Sequence, residues 1–417
     1  MKLLLNLKNL LINDILYLVN KKMIIMNPNF ELNINPDILK WARTSSGFSI
    51  EEITCILKKK WKTIKNDSLL NWENGINKPT FTQLVFLSEK YKRPLAVFFS
   101  INKPKEENVP PEFRILADKG LIGLTPDVLL AIRKARNIQE NIKYVSKLLK
   151  TDYKTALPKY NIKDITPQTL AKNYREIFNY NQNTVRKISK NETPFNYIRN
   201  LIENKNCIVI KSTYNNSFNS YNARAFGLVD TEPFLINITN DDTETGKLFS
   251  LLHEFCHVLL RENSIIAGNE INTLLKNDRI EKFCNEFAGN FLVSKEDLIE
   301  YYEKYQDNDT EVLVDRLANI FKVSPFVILI RLKETNLISK QDCDILFKNK
   351  EKNYHVIKSS FAINKPQKDI FNRLGKRVVN LFVQAEVNEK ISYTDITDFL
   401  DIKPRYLSDI YKTCLYG

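Results

Sequence analysis

Two histidines stand four residues apart in the stretch SLLHEFCHVLL, Ser250 to Leu260, of a chain that holds only three. On a helix, residues at that spacing lie one above the other, so His253 and His257 would present their imidazoles side by side. That arrangement suits a metal ion. Glu254 follows the first histidine and is rotated about 100° around the helix, so its carboxylate would face a water beside the metal rather than the metal itself. Two neutral imidazoles, an open coordination position and a nearby base are the parts of metal-assisted hydrolysis, with Glu254 as general base. The competing reading is an amphipathic helix whose histidines are satisfied by hydrogen bonds in a core.

Hydrolytic zinc takes three protein ligands and keeps the fourth position open. The remaining histidine, His355, lies about 100 residues away in the polar segment EKNYHVIKS, and no Gly-x-x-His follows His257. A carboxylate is therefore expected, and the segment DRIEKFCNEFAGNFLVS offers two. Phe283, Phe287 and Phe291 form one stripe at helical spacing, a core face, while Glu281, Cys284, Asn285 and Ala288 share a neighbouring face. Helical periodicity favours Glu281 as third ligand over Glu286, which points away from that face. Asn285, one turn on, is placed to hydrogen-bond a ligand imidazole from behind. Cys256 and Cys284 lie beside these residues, either as ligands or as small buried apolar side chains. The six cysteines are scattered without a close pair, which reads as reduced thiols in a cytoplasmic protein.

Positioning these residues requires ordered elements on both sides. NCIVI, AFGLVD and FLINIT read as three short strands, and Asp and Thr in NDDTETGK supply N-cap candidates for the histidine helix. Upstream, a helical run from about Pro126 to Leu149 follows a proline-rich segment, INKPKEENVPPEFRIL, which places a domain boundary near residue 105. From Pro36 to Ser100 the pattern is a bundle of short helices. The first stops at Gly47, the second is capped by Ser49 with Glu52 three residues on, the third ends near Trp72, and the fourth runs from Thr80 to about Tyr91. Trp41 and Trp72 read as core. After Asp309 the chain is helical again, with paired helices around Val323 to Pro325 and a similar pair near the end, suited to completing the core or presenting a partner surface. Residues 1–35 read as an N-terminal extension; a start at Met26 and a loose amphipathic helix both remain open. No stretch of about 18 apolar residues occurs, so no membrane span is expected.

The string WENG...KPT...L..L...Y.RPL..FF resembles the helix-turn-helix of the XRE or Cro-repressor type. The resemblance implies that Lys65, Ser68 and Asn71 approach the bases and phosphates of double-stranded DNA. The turn KKKWKTIKN is about five residues longer than that fold's tight turn, and its lysines, Lys58, Lys59, Lys60, Lys62 and Lys65, read either as phosphate contacts or as a solvated loop. The blocks AFGLVDTEPFLINITN, LFSLLHEFCHVLL and IEKFCNEFAGNFLVS are similar to those of the ImmA/IrrE family of zinc metallopeptidases. The similarity implies zinc (Zn2+) held by His253, His257 and Glu281, with Glu254 as general base; Ser294 stands where a proline often closes the third block. The expected fold is mostly α with a small β-sheet. A helix-turn-helix bundle (36–104) and a linker and helical connector (105–165) precede an α+β zincin-like, gluzincin-type peptidase domain (166–308) and a C-terminal helical region (309–417). Tyr221 and Arg224, before the second strand, are the candidates on position for stabilising the oxyanion.

A net charge of +13 favours acidic partners, nucleic acid first, although a compositional bias towards Lys, Asn and Ile accounts for part of the excess. The resemblance to the ImmA/IrrE family implies two functions. One is a site-specific endopeptidase that cleaves a repressor-like protein and carries its own DNA-binding domain. The other is a DNA-binding regulator or antitoxin that binds a cognate toxin and cleaves nothing. A homodimer is a further candidate partner, with the oligomeric state left open.

Overall fold

The computed structural model describes residues 34–104, 126–151, 153–212, 224–240, 242–262, 264–266, 279–305, 309–353 and 366–416. Met26, Tyr221 and His355 lie outside them. The chain divides into two compact units; among the described residues the first ends with Arg133 and the second begins at Lys134.

The first unit is a bundle of short helices, and each starts where local chemistry provides a cap. In α1 (Pro36–Thr44) the Asn35 side chain accepts the Asp37 N–H. Reciprocal capping boxes open α2 (Ile50–Lys60), from Ser49 and Glu52, and α4 (Phe81–Tyr91), from Thr80 and Gln83. Between them α3 (Ser68–Glu73) is six residues long, and a 3-10 turn spans Leu95–Phe99. Ile38, Leu39, Ile53, Leu57, Leu69, Leu84 and Leu87 are fully buried, and Trp41 and Trp72 join them in the core. A two-pronged ion pair crosses it. Arg43 Nε and Nη2 donate to the Glu73 carboxylate at 2.7 and 2.9 Å, which ties α1 to α3. Removing one member would leave the other charge buried and unpaired, at a cost of about 3–5 kcal/mol.

Helix α5 (Pro126–Leu148) leads into the second unit. There α6 (Pro167–Ile177), α7 (Gln182–Asn191) and α8 (Pro194–Glu203) precede the strands β1 (Ile208–Ser212), β2 (Ala225–Leu228) and β3 (Leu235–Thr239). Helix α9 (Glu244–Leu260), strand β4 (Ser264–Ile266) and helix α10 (Arg279–Leu292) follow. The rest is helical: α11 (Lys295–Lys304), α12 (Thr310–Phe321), α13 (Pro325–Glu334), α14 (Lys340–Asn353), α15 (Pro366–Leu374), α16 (Lys376–Val387), α17 (Tyr393–Leu400) and α18 (Leu407–Tyr416). The protein is thus mostly helical with a small sheet, as expected.

The sheet order is β1-β3-β2-β4, with β1 parallel to β3 and the other pairs antiparallel. The three strands expected from the sequence are present; β4 was not anticipated, because three residues carry too little pattern to be read. Helix α9 is buried from Gly246 to Leu260, packing on β2 and β3 and against α10. The stripe of Phe283, Phe287 and Phe291 meets Tyr174, Phe178 and Phe255 in an aromatic core, with Tyr174 and Phe255 edge-on at 5.2 Å. Leu313, Leu317, Phe321 and Leu329, from α12 and α13, belong to the same core. Among the described residues no helix is long and apolar enough to cross a membrane.

Candidate metal centre

Helix α9 is held at both ends. At its start the Thr243 hydroxyl accepts the Gly246 N–H at 3.0 Å, and the Asp242 carboxylate accepts the Thr243 N–H at 2.8 Å. Arg224, just before β2, donates from Nε to the same carboxylate at 2.8 Å and lies against Gly246. This pair fastens the sheet to the first turn of the helix; Arg224 is engaged with Asp242, not with the histidines. At the far end Arg261 adopts a left-handed conformation, φ 63°, and the Glu262 N–H closes on the His257 carbonyl at 3.0 Å.

Within this frame His253 and His257 turn their Nε2 atoms towards each other, 3.1 Å apart. Helix α10 brings Glu281 to the same point, with Oε2 at 3.6 Å from His253 Nε2 and Oε1 at 3.4 Å from His257 Nε2. Among the described residues these three are the group of histidine, cysteine and acidic side chains able to share one ion. Zinc bonds of about 2.0–2.1 Å in a tetrahedral arrangement place ligand atoms about 3.3 Å apart, close to the 3.1 Å between the imidazole nitrogens and to the 3.4 and 3.6 Å from each to its nearer carboxylate oxygen. The donor set, two imidazole nitrogens and one carboxylate, therefore fits zinc in kind and in spacing. The sulfurs of Cys256 and Cys284 are outside that set.

Asn285 lies behind the first histidine, its Oδ1 2.8 Å from His253 Nδ1. An amide oxygen only accepts, so Nδ1 carries the hydrogen and Nε2 offers its lone pair. Burial works to raise the Glu281 carboxyl, but hydrogen bonds and charge from His253 and His257 outweigh it and hold the group well below the usual range. Burial likewise lowers His257, yet the neighbouring Cys284 and Glu281 more than reverse this and keep it well above an ordinary imidazole. Cys284 is itself pushed well up by burial and by Cys256, so the charge His257 meets is the carboxylate's. Glu254 is fully buried in the turn between the two histidines.

Glu286 points elsewhere. It lines a cavity of about 1230 Å³ with Gln168, Arg175, Asn290 and Arg331, and none of the convergent residues reaches that cavity. In the first unit, Lys65 is exposed, its N–H donates to the Ser68 hydroxyl at 2.8 Å, and Asn71 donates to Asp67 at 3.2 Å. Sequence reasoning missed Asp242 as the partner of Arg224, for which an acidic residue just ahead of an N-cap threonine is a faint signal.

Residues 211–333 match the family model of the IrrE N-terminal-like domain, Peptidase_M78. The matched stretch runs from the end of β1 through α13 and contains His253, Glu254, His257 and Glu281. The curated proteins compared with the chain yield no match.

Proposed function

We propose that the protein is a zinc-dependent endopeptidase. The observation that carries this is the triangle of His253 Nε2, His257 Nε2 and the Glu281 carboxylate, with sides of 3.1, 3.4 and 3.6 Å, closed around one point beside a buried glutamate. A metallopeptidase role is supported by the family match over the same residues. When bound, zinc supplies Lewis acidity that polarises a peptide carbonyl and makes water more acidic. The chain supplies the rest. With zinc bound, His253 and His257 would each present a neutral nitrogen, zinc taking the place of the proton on His257, and Asn285 fixes the tautomer of the first. The Glu254 carboxylate takes the proton of the attacking water as the carbon–oxygen bond forms, then gives it to the amine nitrogen as the carbon–nitrogen bond breaks.

The finer reading is a substrate that is itself a DNA-binding regulator, with the first unit contacting double-stranded DNA. Exposed Lys58, Lys59, Lys60, Lys62 and Lys65 support the second part as a phosphate-binding surface. Base readout has less support, because Ser68 and Asn71 make hydrogen bonds within their own short helix region. The test is to purify the protein with zinc and incubate it with repressor-like proteins encoded beside it. A single cut that disappears in Glu254→Gln supports the peptidase. Zinc and DNA binding with no cut in any candidate, a neighbouring toxin included, would overturn it in favour of the regulator or antitoxin.

A further inference from the structure

The cavity beside Glu286 lies apart from the metal centre and has a chemistry of its own. Helix α6, the turn at Asn179, Tyr180 and Asn181, and parts of α10, α11 and α13 bound it, all within the second unit. At about 1230 Å³ it is larger than an ordinary small-molecule pocket of about 300–1,000 Å³. Exposed Lys172, Asn173, Glu176, Asn181, Lys295 and Glu296 form its rim, so it is a groove open to solvent. Every lining side chain ends in a hydroxyl, an amide or a charge, and the charges balance, two lysines and two arginines against four glutamates. On a chain of net charge +13 this is a surface without net charge, unsuited to a phosphate backbone.

Two of the lining side chains are buried and only partly used. Asn290, 6% exposed, donates from Nδ2 to the Glu286 carbonyl at 2.8 Å, and its Oδ1 has no donor among the described residues. Arg331 spends Nε on the Val293 carbonyl at 3.0 Å and Nη1 on Glu334 at 2.6 Å, while Nη2 has no acceptor among the described residues. Neither atom is closed off from solvent. Arg331 lies against α10 because Gly289 has no side chain; a Cβ there would stand 3.3 Å from Arg331 Cδ. The groove thus holds an acceptor and a donor in fixed places, and a peptide unit carries one donor and one acceptor to meet them.

We propose that this groove docks a polypeptide segment of no net charge, belonging to the protein substrate and remote from the bond that is cut. Asn290 follows Glu281 by nine positions, about 14 Å along the helix. Helix α10 therefore carries a proposed metal ligand near one end and part of the groove near the other. A small domain, about 30 Å across, is large enough to engage both, whereas a short peptide held at the ion is not. The groove adds affinity for the whole protein and leaves the chemical step alone.

The inference rests on the peptidase reading for the identity of its partner, and the experiment separates the two. Overlapping synthetic peptides tile the repressor-like proteins and toxins encoded beside the chain. Their binding is measured by fluorescence anisotropy with full-length Glu254→Gln protein, alone and combined with Asn290→Leu or Asn173→Trp. Asn290→Leu keeps the shape and removes the acceptor; Asn173→Trp fills the groove from its exposed rim. One segment of little net charge is expected to bind, and to bind each combined variant about 5- to 10-fold more weakly, the worth of one hydrogen bond. With Glu254 restored, the same two changes should raise KM for the whole protein, leave its kcat, and leave cleavage of a short peptide spanning the cut unchanged. Cleavage of the whole protein with natural KM in both variants overturns the groove and keeps the peptidase. Groove-dependent binding with no cleavage of any candidate overturns the peptidase and keeps the groove. If no segment binds, or both variants bind it as the parent does, the docking site is overturned.

Discussion

Glu281 and Glu286 sit on one helix five positions apart, and only the first faces the histidines. Replacing Glu281 with Ala is expected to reduce zinc content from one ion per chain to a small fraction, whereas Glu286→Ala keeps it full; metal analysis after dialysis decides between them. Glu254→Gln keeps the volume and removes the base. It should bind zinc normally and lose at least about 100-fold in peptide cleavage, the lower end of general-base contributions. A variant that cleaves at the natural rate would show that another group takes the proton. These outcomes depend on single side chains because no two of them do the same thing. In the proposed centre Glu281 would complete the ligand set, Glu254 would move a proton, and Asn285 holds the His253 ring at 2.8 Å.

At the scale of elements, α9 and α10 must hold their relative places to a few tenths of an ångström if three ligands are to meet. Gly246 shows how closely α9 is seated. A Cβ there would collide with the Arg224 guanidinium and stand 2.6 Å from Asp242 Oδ1. Gly246→Ala is therefore expected to cost about 1–3 kcal/mol in chemical denaturation, by forcing apart the ion pair that joins the sheet to the helix. Helix α10 is anchored at its other end by two arginines. Arg175 Nη1 donates to the Phe291 carbonyl at 2.6 Å, and Arg331 Nε donates to the Val293 carbonyl at 3.0 Å. Arg331 is 3% exposed. Arg331→Met should lower stability by about 2 kcal/mol, through an unsatisfied buried carbonyl, while leaving zinc stoichiometry unchanged.

For the whole molecule, charge shapes both stability and binding. Lys211 on β1 is buried, with Nζ 3.0 Å from Asn372 Oδ1 and 4.3 Å from the Phe195 ring centre. Burial, helped by Arg199, lowers it to about 8 from an ordinary 10.5. Below pH 8 the lysine is charged in both states and the folded state bears the penalty. Between pH 8 and 10.5 the unfolded chain holds the proton and the folded chain does not, so stability rises with pH across that window, by at most about 3 kcal/mol. Lys211→Met should lack this rise, and urea unfolding at pH 7.5 and 10 measures the difference. In the first unit, changing Lys58, Lys59 and Lys62 to Ala should reduce the salt dependence of DNA binding, by about one logarithmic unit of slope for each phosphate that no longer meets a lysine. Filter binding at several salt concentrations gives that slope, and an unchanged slope would place the DNA-binding surface elsewhere.

The amino-acid order alone determined the local features: the capped starts of α2 and α9, the three longer strands, the aromatic stripe of α10 and the faces on which His253, His257 and Glu281 lie. These follow from periods of 3.6 and 2 and from cap chemistry that acts within four residues. Tertiary structure decided what those faces meet. The 3.1 Å approach of two imidazoles, the arrival of Glu281 from 24 positions beyond His257, and the pairing of Asp242 with Arg224 all depend on how the elements pack. So does the neighbourhood of Cys284, which spacing alone left open between ligand and filler. Helical periodicity specifies the direction in which a side chain leaves its own axis. The packing of α9 between the sheet and α10 specifies the distance at which it finds a partner, and coordination chemistry depends on that distance.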